Sequence, residues 1–163
     1  MKKILLISDT HGYIDDRIIQ YAKQSDETWH AGDIGELKVT DELKKVTTLR
    51  AVHGNIDNNK IRAEYPENLR FQIEEMKIWI THIGGYPNKY NQRIRQEINS
   101  NPPDIFICGH SHILKIINDK KLDLLHINPG AIGKHGFHHV RTMIRFEIMK
   151  SKIQNLEVIE FKR

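Results

Sequence analysis

Seven side chains in this sequence have the type and placement to bind divalent cations: Asp9, His11, Asp33, Asn55, His82, His110 and His112. They stand in five short segments, Asp9-Thr10-His11-Gly12, Gly32-Asp33, Gly54-Asn55, Thr81-His82 and Gly109-His110-Ser111-His112, each at the end of an apolar run. Two carboxylates, four imidazoles and one amide make a mixed nitrogen and oxygen donor set without thiolate. Such a set suits manganese, iron, zinc, nickel or cobalt and is too rich in nitrogen for calcium. Seven donors are too many for one such ion, but they suit two ions that share a ligand. A carboxylate bridges readily, because each of its oxygens has lone pairs to offer. Asp33 is the expected bridge, since it stands alone at the end of its run.

Taken singly, each segment has an ordinary structural reading. Asp-x-His is usually a cap or a surface turn, and Gly-Asp is common in turns. Gly54-Asn55-Ile56-Asp57 reads as a turn or helix cap, and a lone His82 as a partly buried strand residue. The joint order, one polar segment after each apolar run, is what points to a metal site.

The elements that must position these residues can be read from hydrophobic periodicity. Ile4 to Ile7, Thr28 to Ala31 and Thr47 to Val52 read as strands, separated by helices from about Ile14 to Lys23 and from Glu36 to Lys45. Strands alternating with helices predict a mainly parallel sheet. The pattern then changes. Residues 71–74 and 77–80 alternate like a hairpin, a helix is expected from about Asn88 to Asn99, and Ile105 to Cys108 reads as a buried strand. Leu114 to Ile117 should pair with Leu122 to Ile127, and Met143 to Met149 with Ile153 to Phe161. An α/β start and a hairpin-rich finish predict two sheets packed face to face with helices outside. In such sheets ligands bind beyond the C-terminal ends of the strands, and neighbouring strands lie only about 4.8 Å apart.

Composition sets the wider bounds. The 163 residues fit one domain, 1–163, with 39% hydrophobic and 28% charged residues. One cysteine, Cys108, excludes a disulfide framework and a thiolate-rich zinc site. No apolar run reaches the roughly 18 residues needed to span a bilayer, and Ile4 to Ile7 is too short for a signal-peptide core. A cytoplasmic location without membrane partners is therefore expected. The net charge is +4 and the pI about 9.1. The basic residues are spread among acidic ones, so nucleic acid is not the expected partner. Ten histidines exceed what a surface needs and favour metal or acid–base chemistry.

The ordered set of five segments resembles the calcineurin-like metallophosphoesterases. The short length, Gly54-Asn55-Ile56-Asp57 and Asn128-Pro129-Gly130 are similar to the small prokaryotic YfcE-like branch. The resemblance runs from Leu6 to about Arg145. It implies an α/β fold, a four-layer α/β/β/α sandwich of two mixed sheets flanked by helices, and two divalent metals, manganese first. It also implies a ligand division: Asp9, His11, Asp33 and His112 on one metal, and Asp33, Asn55, His82 and His110 on the other. Asp33 and Asn55 would then serve catalysis directly, as a hydroxide shared by the metals attacks a small phosphate ester. Association into homo-oligomers is a further expectation from the family.

One position departs from the pattern. Many family members carry a histidine directly after the metal-binding Asn, where this chain has Ile56. Without that proton donor, activated esters such as aryl phosphodiesters should be preferred over poor leaving groups, because general-acid help is worth roughly 10²–10⁴-fold. His53, two residues before Asn55, and His139, in the loop Lys134-His135-Gly136-Phe137-His138-His139, are the candidate substitutes. His30 and His126 read as packed strand residues and Cys108 as a small buried one; Asp57 either steadies a neighbouring ligand by hydrogen bonding or, the preferred reading, caps a helix starting near Asn58. Two other functions compete. The fold also serves as an interaction scaffold, as in a retromer subunit with a degraded metal site, and a nuclease would share the chemistry. The complete ligand set speaks against the first. With 7% aromatic residues, none clustered with Lys and Arg, the second lacks a stacking surface.

Overall fold

Ile4, Leu5, Leu6 and Ile7 are all buried, because the strand that carries them is covered on both faces. Successive strand side chains point to opposite faces. Ile4 and Leu6 enter a core of 15 buried residues, while Leu5 and Ile7 enter a separate core of 12. In the computed structural model, which describes residues 1–163, this strand is β1 (Lys2–Ile7). There follow α1 (Asp16–Lys23), β2 (Glu27–His30), α2 (Leu37–Lys44), β3 (Thr48–Ala51), α3 (Asn59–Glu64), β4 (Asn68–Ile73) and β5 (Met76–Thr81). The second half comprises β6 (Gly85–Tyr86), β7 (Lys89–Tyr90), α4 (Gln92–Ser100), β8 (Ile105–Ile107), β9 (Leu114–Asp119), β10 (Leu124–Pro129), β11 (Val140–Met149) and β12 (Lys152–Lys162).

Two five-stranded sheets form, in the orders β12-β11-β1-β2-β3 and β4-β5-β8-β10-β9. Both are mixed. In the first, β1, β2 and β3 run parallel and the hairpin β11–β12 joins antiparallel. In the second, β5, β8 and β10 run parallel between antiparallel edges β4 and β9. The 15-residue core lies between the sheets. There Trp29 packs edge-on against Phe71 and Phe146, at ring distances of 5.1 and 5.8 Å. The 12-residue core joins the outer face of the first sheet to Ile18 and Ala22 of α1, Val39 and Leu43 of α2, and Ile61 of α3. A third core sets Ile94 and Ile98 of α4 against Trp79 and Phe106 of the second sheet. Three cores separate four layers, α/β/β/α, as the resemblance implied. Truncating Leu6 to Ala, between the sheets, would cost about 2–5 kcal/mol.

Local signals explain the helix boundaries. Asp15 caps α1 by accepting from Ile18 N at 2.9 Å, so the helix starts slightly later than its apolar pattern suggests. The helix expected from about Asn88 starts at Gln92 instead, behind the cap Asn91. The residues before it form the small hairpin β6–β7. Pro87-Asn88 is the reason: proline suits the first central position of a tight turn, and Asn88 supplies the second with φ 68°. No helix is long and apolar enough to cross a membrane.

Candidate metal centre

The five polar segments sit on one rim, beyond the C-terminal ends of the parallel strands. The first sheet supplies Asp9 and His11 after β1, Asp33 after β2 and Asn55 after β3. The second supplies His82 after β5, and His110 and His112 after β8. Backbone hydrogen bonds lace neighbouring loops: Asp9 N donates to Gly32 O (2.9 Å), His11 N to Asp33 O (3.0 Å) and Gly109 N to His82 O (2.9 Å). Across the sheets, His110 N donates to Asp9 Oδ2 at 3.1 Å, and Ser8 Oγ donates to the same oxygen at 2.6 Å.

The side chains fall into two groups that could each hold an ion, Asp9 with His11 and His112, and Asp33 with His82 and His110. Within each group the donor atoms lie within 4.8 Å of one another. Asp9 Oδ1 is 3.2 Å from His112 Nε2 and 3.8 Å from His11 Nε2. Asp33 Oδ2 is 3.2 Å from His82 Nε2 and 3.6 Å from His11 Nε2, so one oxygen faces both groups. Asn55 Oδ1 lies 3.0 Å from His110 Nδ1, which adds the amide oxygen to the second group.

Proton bookkeeping shows that these residues fit cations. His82 Nδ1 lies 2.8 Å from Ala31 O. A carbonyl only accepts, so Nδ1 carries the proton and the lone pair of Nε2 faces Asp33. Nε2 has no hydrogen-bond partner, and neither do the buried atoms Asp9 Oδ1 and His11 Nε2. Buried polar atoms are normally paired, and here several acceptors converge on one another. Burial alone would raise the Asp9 and Asp33 carboxyls, but the facing imidazoles of His112 and His82 hold both below the ordinary value. Burial alone would lower His82, but Asp33 and Asp9 outweigh it and hold its pKa up. The two carboxylates thus demand positive charge at this point, which a divalent cation would supply.

Residues 1–151 match the model of the calcineurin-like phosphoesterase superfamily domain. The chain belongs to that superfamily. A probable metallophosphoesterase of Methanocaldococcus jannaschii is 31% identical over 134 residues, covering 77% of this chain and 66% of that protein. Among solved structures, one described as a novel archaeal phosphodiesterase superposes with a TM-score of 0.70 at 24% identity, covering 96% of this chain and 99% of that one. Vps29 of Entamoeba histolytica, solved with zinc, gives a TM-score of 0.74 at 17% identity and 98% coverage of both chains. These last two likenesses speak for the fold.

The candidate centre is held by unusual backbone. Asp9, His11, Asp33, His110 and His112 all adopt positive φ, between 45° and 73°. Non-glycine residues rarely do so, and each such conformation costs of order 1–3 kcal/mol. The loops tolerate it because they are over-determined by their hydrogen bonds and by close packing. A Cβ at Gly54 would collide with the Asp33 carboxylate, and one at Gly32, where φ is 99°, would meet the His82 ring at 2.6 Å.

Two positioning residues depart from their preferred sequence readings. His30 is not merely a packed strand residue. Its Nδ1 accepts from Gly32 N (3.1 Å), and its Nε2 donates to Thr10 Oγ1 (2.9 Å), which in turn donates to Ile34 O (2.9 Å). This chain ties the Asp9–His11 loop to the Asp33 loop. Asp57 is not the cap of α3, because Asn58 is, accepting from Ile61 N at 3.2 Å. The Asp57 carboxylate instead accepts from Ile34 N (3.1 Å), Gly35 N (2.8 Å) and Gly54 N (2.7 Å), clamping the Asp33 loop to the Asn55 loop. The Gly-Asn-x-Asp spacing was the available signal.

The remaining candidates divide. His53 lines a cleft beside the second group with Asn55 and His82, and its Nδ1 donates to Tyr65 O at 2.9 Å. His139 is exposed and does not line the cavity above the two groups; His135 and His138 of the same loop do. Their rings lie 4.7 Å from His11 and 5.2 Å from His112. That cavity, of about 460 Å³, is also bordered by Ile113 and Phe137. His126 and Cys108 are buried together, with Cys108 Sγ 3.5 Å from His126 Nε2, and burial pushes the thiol up to about 12.

Proposed function

We propose that this chain, as one domain over residues 1–163, is a phosphodiesterase that works with two divalent cations, manganese first and nickel, iron, zinc or cobalt as alternatives. The observation that carries the reading is the unpartnered convergence of His82 Nε2, His11 Nε2 and Asp9 Oδ1 around Asp33. Asp9, His11, Asp33 and His112 would hold one ion, and Asp33, Asn55, His82 and His110 the other, with Asp33 shared. Cations bound there supply Lewis-acid stabilisation of phosphate oxygens and acidify water. The protein's own part is to fix that charge before substrate arrives, which is where electrostatic catalysis gains most. The amide of Ile56, donating to Asp33 Oδ1 at 3.1 Å, holds the shared carboxylate in place.

The walls of the site favour diesters with an apolar or aryl arm. Phe137 is 99% exposed, Ile113 60% and Ile56 48%. Phe137 and Ile113 border the cavity above the two groups, and Ile56 follows Asn55 directly. Large apolar side chains left in water beside polar ligands mark a binding surface. Ile56 also offers no proton to a leaving group, so leaving groups that depart unaided are favoured. That a solved archaeal protein of the same fold is described as a phosphodiesterase supports the diester reading.

The test is a chromogenic assay on metal-reconstituted protein, with bis(p-nitrophenyl) phosphate against p-nitrophenyl phosphate, beside metal analysis. The diester should turn over faster in kcat/KM. A faster monoester would reject the diesterase reading. A protein that takes up no metal and is inert would leave the scaffold reading in possession.

A further inference from the structure

Beside the second ligand group, a cleft of about 170 Å³ is lined by Arg62 and Arg93 together with His53, Asn55, His82 and Glu67. Each guanidinium is tied to backbone that flanks a candidate metal ligand. Arg62 donates from Nε to Asp57 O (2.7 Å) and from a terminal nitrogen to Gly54 O (3.3 Å) and Asn55 O (3.2 Å). Arg93 donates from one terminal nitrogen to Ile83 O (2.9 Å) and to the Thr81 hydroxyl (2.9 Å), on either side of His82, and from the other to Asn68 Oδ1 (3.5 Å). Carbonyls fix a guanidinium without neutralising it. Arg62 forms no ion pair, and Arg93 has only the half-exposed Glu67, 3.5 Å from its Nε. The cleft therefore keeps a net positive charge on two pre-oriented forks, next to where the scissile phosphate would bind.

We propose that Arg62 and Arg93 form a subsite for a second phosphate, carried on one arm of the diester substrate. This rests on the phosphodiesterase reading and narrows it to substrates with two phosphates. A tetrahedral phosphate offers oxygens to two forks at once, whereas a planar carboxylate is satisfied by one. Phe137 and Ile113 border a different cavity, the one above the two ligand groups, so the two arms of the substrate meet walls of unlike character, one cationic and one apolar.

The deciding experiment is calorimetric titration of metal-loaded protein with thymidine 3′,5′-bisphosphate and with thymidine 5′-monophosphate, at fixed ionic strength. The wild type should bind the bisphosphate at least tenfold more tightly. In the double variant Arg62→Gln with Arg93→Gln, that ratio should fall below threefold. Only the ratio is read, so a general loosening of the Asn55 or His82 loops, which a purely structural role would produce, cancels between the two probes. Equal affinities in the wild type, no measurable bisphosphate binding, or a ratio retained in the double variant would each overturn the subsite. A chromogenic pair, the p-nitrophenyl ester of thymidine 5′-phosphate with and without a 3′-phosphate, separates the two claims. If neither is hydrolysed, the enzymatic reading fails while the binding ratio still decides the subsite.

Discussion

His82 Nε2 and Asp33 Oδ2 lie 3.2 Å apart and make no hydrogen bond, because the ring's proton is on the opposite nitrogen, facing Ala31 O. One atom comes from the second sheet and the other from the first. Their approach is thus set by how the sheets pack, and it leaves a concentration of lone pairs that a cation resolves.

Removal of metal should destabilise the fold. Anything that binds the native state alone stabilises it by mass action, by about 4 kcal/mol at a thousandfold excess over Kd. Treatment with a chelator should lower Tm by several degrees, and manganese should restore it. A Tm indifferent to both, with no metal found by elemental analysis, would contradict the centre.

Asp57→Asn should damage the metal centre without touching a ligand. Three backbone N–H groups share the Asp57 carboxylate, and an amide has only one oxygen for them. A buried donor left unsatisfied costs about 1–3 kcal/mol, and lost outer support of metal ligands typically weakens metal affinity about 10–100-fold. Urea unfolding and metal titration measure the two effects; unchanged metal affinity would mean the clamp is idle.

Stability should fall on mild acidification. His30 is buried, and burial pushes its pKa down from 6.5 to about 4. A base whose pKa is lower in the folded state contributes its full stability above pH 6.5 and loses it as pH falls toward 4, because the unfolded chain takes up the proton first. A shift of that size corresponds to about 3 kcal/mol. His11, His126 and His138, also held low by burial, steepen the slope, while His82, held high, opposes it. Urea midpoints of metal-stripped protein at pH 7 and 4.5 should differ, and His30→Gln should shrink the difference. The same slope in both proteins would remove His30 from the account.

Ile56→His should recover general-acid help. Position 56 is half exposed and its amide touches Asp33, so a histidine there would stand beside the reacting phosphate. Turnover of alkyl diesters relative to p-nitrophenyl diesters should rise about 100-fold, the lower end of the usual range of acid catalysis. Ile56→Ala is the control, and an equal gain there would point to space rather than a proton.

His53→Ala should slow diester hydrolysis at least tenfold, since His53 lines the cleft with Asn55 and His82. His139→Ala should stay within twofold, since its side chain lies outside the cavity. Steady-state kinetics on both variants test the pair, and the opposite order would return the acid role to the loop.

The strands, their apolar runs and the polar residue at each strand end are local properties, so the sequence alone determined which seven side chains were candidates and in which layers they would stand. An unbroken apolar run ended by Ser8 and Asp9 made the strand Ile4 to Ile7 legible, and proline with asparagine at 87–88 would have revealed the β6–β7 hairpin. Only the tertiary structure decided the rest. His110 N reaches Asp9 Oδ2 across 101 positions of chain, a contact set by strand order and sheet packing rather than by spacing. The left-handed backbone at Asp9, His11, Asp33, His110 and His112 exists because neighbouring loops over-determine it. The carbonyl-bound charge of Arg62 and Arg93, the triple clamp of Asp57 and the tautomer of His82 likewise depend on partners that come close only when the two sheets meet.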